Sequence, residues 1–339
     1  ANTTGDNNTG IGTNALGANT TGTSNTAVGC LAGDSITTGS YNTVVGHDSL
    51  RDSTTSNNNT AIGAGVMSLT TSGARNTAMG MAALQSNTSG NYNVAIGDQA
   101  VFRNTNGGEN TGVGFLALQN TGLSTSGISY NTGVGSRALA GNTSGAQNTS
   151  LGAYAGADLT SGGGNTFIGY NTQPSAVGGA NQISLGHGIT CTGDGNFTFG
   201  NGSSDSNIAN GATTITAPSD VRLKEDIEDE KIGLDFINDL RPVTYRWKKE
   251  KDVPSELNAH KSNSEERVMN GKYNHGFIAQ EVKEVIDNYD LKDGFDMWTE
   301  DEVDGRQRIG EAALIPLMVK AVQELLAKVE ELESKLNGE

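Results

Sequence analysis

The chain has 339 residues and a formal net charge of −16, with charged side chains making up only 18% of it. Acidity on this scale disfavours nucleic acid and anionic membrane surfaces as partners. No apolar run approaches the roughly 20 residues of a membrane-spanning helix, no signal-peptide pattern is seen, and two lone cysteines give no compartment signal.

The first two hundred residues are a repeat. Gly12, Gly29, Gly46, Gly63, Gly80, Gly97 and Gly114 follow one another at seventeen residues, and each closes a near-copy of Asn-Thr-Ala-Ile-Gly. After one step of twenty-one to Gly135, the register resumes at Gly152, Gly169 and Gly186, and a step of fourteen reaches Gly200. So short and strict a period predicts stacked coils of a β-solenoid or β-roll. The residue before each glycine is large and apolar, from Ile11, Val28 and Val45 to Leu185 and Phe199, and this column is expected to form the core. Two before the glycine stands a small residue, such as Ala27, Ala61, Ala78 or Gly112, on the opposite face of the strand. That face is expected to admit another chain.

Four before the glycine, asparagine occupies eleven of twelve copies, with Gln182 the exception. Stacked asparagines bond to one another and to turn backbone, so a structural ladder is expected rather than an ion site. His47 and His187 share the slot after the glycine with residues as different as Thr13, Cys30, Met81 and Phe115, which marks it as an outward surface. Cys30 and Cys191 lie about nine coils apart, on the order of 40 Å at the usual strand spacing, too far for a disulfide. Ordering seventeen backbones costs roughly 1–2 kcal/mol each, against about 1.5–3 kcal/mol for each buried aliphatic side chain. One coil therefore cannot stand alone, and the thin core favours several chains sharing burial.

Composition changes abruptly near Ser219. Residues 1–218 hold no lysine, four arginines and nine acids, whereas 219–339 hold 18 of the 22 basic and 29 of the 38 acidic groups. Two domains of different physics are expected: the repeat over 1–200, a stem over 201–218 with a weak β pattern, and a mixed α+β domain over 219–339.

The second domain opens with Ser219-Asp-Val-Arg-Leu-Lys-Glu-Asp-Ile227. It continues with GLDFINDLRPVTYRWK (233–248), HGFIAQEV (275–282) and a terminal helix over 309–336. These four ordered motifs resemble the self-cleaving intramolecular chaperone first known from phage endosialidases and found at the ends of tail fibres and tailspikes. Residues 233–248 resemble its strand-helix-strand segment and 275–282 its central signature. The resemblance implies a module that trimerises, folds the fibrous region before it, and is released by autoproteolysis through a serine–lysine dyad. The positions matching the dyad are Ser219 and Lys224, with the junction at Pro218, Ser219 and Asp220. Chemistry suits the pair, because a serine hydroxyl needs an adjacent base and lysine can be that base when its charged form is disfavoured. Arg222, His275, Gln280 and Glu281 belong to the matched motifs as supporting residues without an assigned step. No metal or other cofactor is implied.

In the last helix Ile315, Met318, Val322, Leu325, Val329, Leu332 and Leu336 make a heptad seam, the mark of a coiled coil. Their identities lean toward two strands, while the resemblance implies three. The repeat is similar to the β-roll heads of trimeric autotransporter adhesins, and that likeness also implies three parallel chains. The expectation is the distal part of a phage tail fibre, part of the virion and made in the host cytoplasm. Its partners are two copies of itself, other tail proteins, and a host surface glycan or outer-membrane receptor, with no membrane insertion. Two alternatives stand beside it. A tailspike depolymerase would need converging carboxylates and sugar platforms, yet Glu109 is the single glutamate before Ser219. A purely mechanical spacer needs neither.

Overall fold

The computed structural model describes residues 2–122, 129–202, 204–289, 291, 295–301 and 303–338. The chain forms two compact units, residues 1–220 and 221–339.

The first unit is a solenoid. Each coil contributes one three-residue strand, from β1 (Thr9–Ile11) to β10 (Thr166–Ile168), and longer strands follow at β11 (Ile183–His187) and β12 (Phe197–Asn201). Neighbours pair in parallel, with Thr9 opposite Thr26 and Ile11 opposite Val28, so equivalent residues stack coil on coil. The turns stack as well: Leu16 N–H donates to Ala32 O at 3.1 Å and Thr20 N–H to Thr37 O at 2.9 Å. β13 (Ser204–Ile208) returns antiparallel along β12, and Asn207 and Thr216 pair beyond it. Much of the segment read as a stem thus folds back and covers the last strand edge, a place where unpaired backbone would otherwise invite association.

The repeat glycines meet two demands at once. Gly97 has φ +132°, and a Cβ there would come within 2.5 Å of Gly114 O in the next coil. Glycine alone satisfies both.

The strand faces are the reverse of the expectation. The small residues, Ala27, Ala61, Ala78 and Ala95, are completely buried, while Ile11, Met79, Ile96 and Leu151 in the large column are 37–59% exposed. What approaches the small residues is the chain's own solenoid: a Cβ on Gly10 would touch Ala15 O of its own coil at 3.0 Å, and one on Gly112 would touch Val101 Cγ2 of the coil before at 2.6 Å. In most coils the interior is filled from the turn three and four residues after the glycine, by Ala83 and Leu84, Ala100 and Val101, Ala138 and Leu139. A coil this narrow has room for one aliphatic side chain against a methyl group.

The asparagine ladder is present. Asn93 N–H donates to Asn76 Oδ1 at 2.9 Å, its Nδ2 donates to Gly107 O at 2.9 Å, and its own Oδ1 accepts from Asn110 N at 3.1 Å. Each amide joins its coil to both neighbours, and Asn25 to Asn148 in this column are fully buried. At the top Gln182 takes the place of asparagine, receiving Asn165 Oδ1 on its N–H and reaching Asp194 and Ser175 with Nε2. The Ala180 N–H and the Gln182 amide hold the Asp194 carboxyl below its usual range. A second buried column, Asn19, Asn87, Asn104 and Asn142, closes the Asn-x-x-Gly turns, as where Asn87 exchanges two bonds of 3.0 Å with Gly90. Cys30 is exposed and Cys191 buried, both as free thiols.

The second unit is a small α+β body. α1 (Leu234–Asp239), α2 (Ala279–Asn288) and α3 (Leu314–Asn337) surround a core of Phe236, Leu240, Val282, Met297, Leu314 and Leu317. Two hairpins accompany them, β14 (Val243–Tyr245) with β15 (Asn274–Gly276) and β16 (Trp298–Glu300) with β17 (Gln307–Ile309). Residues 233–248 form a helix and then a strand, and no strand precedes α1 among the described residues of this unit. α3 buries Leu314, Leu317 and Ala321, leaves its heptad seam exposed, and ends at Gly338, whose φ of +76° suits a left-handed cap. No described helix is long and apolar enough to cross a membrane.

Candidate functional site

The chain leaves β13, passes Thr216 and reaches Pro218 and Ser219, both exposed, and then Asp220, which is half-buried. A single 3-10 turn, Val221–Leu223, opens the second unit. Its last bond runs from Lys224 N–H to Val221 O at 3.1 Å. Arg222 and Lys224 are exposed, as are the apolar side chains of Val221, Leu223 and Ile227. Ser219, Asp220, Arg222 and Lys224 are each engaged by a partner. In sequence, Ser219 falls in the first unit, which ends at Asp220, and Lys224 in the second, which begins at Val221.

The other expected residues gather around β15 and α2. His275 sits on β15 opposite Thr244 of β14, with Nδ1 3.3 Å from Thr244 Oγ1. It lines a hollow of about 320 Å³ with Pro242, Phe277 and Glu311. Gln280 and Glu281 occupy the first turn of α2, where a carboxylate complements the helix dipole. Gln280 is exposed, and Glu281 receives Arg241 Nε at 2.9 Å. That guanidinium keeps the Glu281 carboxyl below its ordinary value. Arg241, Thr244 and Glu311 escaped the sequence reading. Arg241 had a signal, because Leu240-Arg-Pro-Val243 lies inside a matched motif. Glu311 had none, since only the fold carries it to β15.

Comparison with known families places this geometry. Residues 219–291 match the family described as chaperone of endosialidase. A solenoid of stacked coils followed by such a segment is the make-up of a phage tail protein with a C-terminal chaperone. The matched stretch begins at Ser219 and takes in α1, the β14–β15 hairpin and α2, and it stops before α3. No curated protein and no solved structure matches the chain significantly.

Proposed function

We propose that the chain is the distal part of a phage tail fibre that binds the host surface. Its C-terminal unit assembles three copies, guides the solenoid to its folded state and then detaches by cutting the chain at the junction. The observation carrying this reading is a coincidence of boundaries: the family match starts at residue 219, and the compact units divide after residue 220. A cut there releases a solenoid whose own hydrogen-bond ladder is complete at β13, so the chaperone's departure removes no strand from the stack.

Three chains are favoured by the shape of α3. Beside the seam residues, Val319 and Leu326 are also more than half exposed. They follow the Met318 and Leu325 positions of the heptad and widen the apolar stripe beyond the two-position seam of a narrow coiled coil. A wider stripe suits a helix that meets two neighbours.

In the cleavage step the Ser219 hydroxyl attacks the carbonyl carbon of Pro218, the nearest carbonyl on its own chain. Lys224 accepts the hydroxyl proton and returns it to the Ser219 nitrogen as the carbon–nitrogen bond breaks, which leaves an ester on Oγ. Water then hydrolyses the ester to a Pro218 carboxylate and a free Ser219 hydroxyl. A lysine acts as base only in its neutral form, which desolvation promotes. In a single chain Lys224 is exposed, so the step belongs to the assembled trimer and serves as a checkpoint on folding. Intact-mass spectrometry tests this. Wild type is expected to give pieces covering residues 1–218 and 219–339, whereas Ser219→Ala and Lys224→Ala each stay whole as folded trimers. Equal cutting in all three proteins would assign the cleavage to a contaminating protease and remove Ser219 as nucleophile.

A further inference from the structure

The outward column of the solenoid is a strip without charge on a chain of net charge −16. In every coil the outward strand residues are the one before the glycine, always apolar, and the one two earlier, which is threonine or apolar. Val45, Met79, Ile96 and Leu151 are all at least 36% exposed along it. The strip is flanked on one side by the slot after the glycine, which holds Asp98 but also Phe115, 46% exposed, and on the other by the slot before the ladder asparagine, which holds Arg75 and Glu109 but also Tyr92, 52% exposed. The far side of the coil is mostly polar, as in Gln85, Ser86, Thr88, Ser89 and Asn91. Nothing among the described residues covers the apolar side, and soluble monomers rarely leave so long an apolar patch bare.

We propose that this strip is the surface by which the solenoids of three copies of the chain pack together, in parallel and level with level. The inference rests on the trimer reading above and adds where the coils meet. The period identifies the occupant. A partner must match apolar groups that recur at every stacked strand, about 4.8 Å apart, a spacing that the longer coil before Gly135 and the shorter one before Gly200 leave intact, because Thr111 pairs with Thr132 and Ile183 with Phe197. A second copy carries the same spacing over the same number of strands when the two axes run parallel. Size agrees as well. Eleven steps of about 4.8 Å, over a width of roughly 15 Å with the flanks, give a face on the order of 800 Å², the share that one partner contributes to a stable interface. The seam of α3 is bare in the same way at the other end of the chain, so both units present an apolar stripe suited to copies of themselves.

Disulfide trapping tests the proposal. In a Cys30→Ser background, Val45→Cys and Ile96→Cys place thiols on the strip, and Thr88→Cys places one on the polar side. Each protein is oxidised mildly, run on a non-reducing gel and sedimented from the same sample. The expected result is a covalent dimer band from Val45→Cys and Ile96→Cys, none from Thr88→Cys, and trimers throughout. Trimers in which neither strip position links overturn the assignment of this face. Monomers would instead sink the trimer reading on which it rests. Ile96→Asp adds a readout without cross-linking: the side chain points outward, so the coils persist by circular dichroism while the solenoids separate. A variant cut back to residues 1–218 after folding that remains trimeric with Ile96→Asp also counts against the strip.

Discussion

Gly33 and Ile36 exchange volume in a way that repeats once along the stack. Four residues after the repeat glycine, most coils carry Leu16, Leu50, Met67, Leu84, Val101, Leu118 or Leu139, and seven after it they carry a small polar residue such as Asn19, Ser53 or Asn87. The coils with Gly33 and Gly156 carry Ile36 and Leu159 instead, both fully buried. A Cβ on Gly33 would lie 2.9 Å from Ile36 Cδ1, and one on Gly156 2.6 Å from Phe167 Cδ2. The backbone tolerates a leucine at this slot, since Leu16 and Leu84 adopt the same left-handed φ, near +53° and +52°. Gly33→Leu alone is therefore expected to overpack the coil at a cost of about 1–3 kcal/mol, and Ile36→Asn alone to lose about 2–4 kcal/mol through the space it opens. Together they restore the pattern of the neighbouring coils, and the double variant should unfold within about 1 kcal/mol of wild type. Denaturant midpoints of the four proteins decide it; simple additivity would mean the two sites do not share a space.

Asparagine chemistry is the second matter of single residues. Asn93→Ala removes one rung and leaves the Asn110 N–H without its acceptor in a buried column, while Gly107 O keeps only Asn104 Nδ2 of its two amide donors. An orphaned group costs about 1–3 kcal/mol, so a large drop in melting temperature is expected, whereas Ser72→Ala at an exposed turn should stay within about 0.5 kcal/mol of wild type. Burial also fixes the chemistry of Cys191, whose thiol is pushed up to about 11 although Ser184 partly opposes the shift. Native protein treated with maleimide at pH 8 should leave Cys191 unmodified in peptide mapping, and denatured protein should not.

At the scale of elements, the strands show which part of the fold can be read in advance. The seventeen-residue period and the ladder were legible, because asparagine and glycine have few roles in a tight turn and a fixed spacing admits few folds. The direction of the strand faces was not. Alternation tells which residues share a face, yet a three-residue strand offers one inward position, and either Ala27 or Val28 satisfies the pattern. The choice is made by Ala32 and its equivalents, which sit in turns with left-handed neighbours where no period marks them as core. Motif likeness likewise reached Ser219, Lys224 and His275 but not Glu311, whose place beside β15 depends on tertiary packing.

The loop before β15 carries its own pH dependence. Glu265 binds Lys249 Nζ at 2.5 Å and also Lys251, and these ammonium groups lower its carboxyl from 4.5 to about 2. The folded form thus releases its proton more readily than the unfolded chain. The resulting stabilisation is whole above about pH 4.5, and it disappears as pH falls toward about 2. Glu265→Gln is expected to flatten the acid limb of the melting temperature of the second unit, measured in the full chain between pH 5 and 2. An unchanged limb would shift the cause to Glu250, Glu281 and Asp301, whose carboxyls are lowered in the same direction. On α3, Leu325→Asp places a charge in the exposed seam and is expected to yield monomers or insoluble chains by sedimentation, where Glu331→Gln on the polar side leaves assembly intact.

For the whole molecule, the two units differ in how they come to be folded. The contacts of the second unit include local ones, such as the β16–β17 hairpin, and its helices have aliphatic stripes able to find one another. The solenoid has no such start: every strand is three residues long, each pairs with a strand seventeen or so residues away, and no coil is stable before its neighbours exist. Parallel stacking of this kind is slow and leaves strand edges exposed to aggregation while it proceeds. In the proposed assembly, a C-terminal unit holding three chains in register before the coils close would remove the translational part of that difficulty, and propagation from coil to coil would begin at the capped end near β13. Chains ending at residue 218 are accordingly expected to appear as insoluble or aggregated material when synthesised without residues 219–339. The same residues released from a folded Ser219-competent trimer should remain soluble and melt at the temperature of the parent solenoid. The comparison separates a requirement in folding from a requirement in stability. If the truncated chain reaches the same trimer in the same yield, the C-terminal unit does not act as a chaperone for this solenoid.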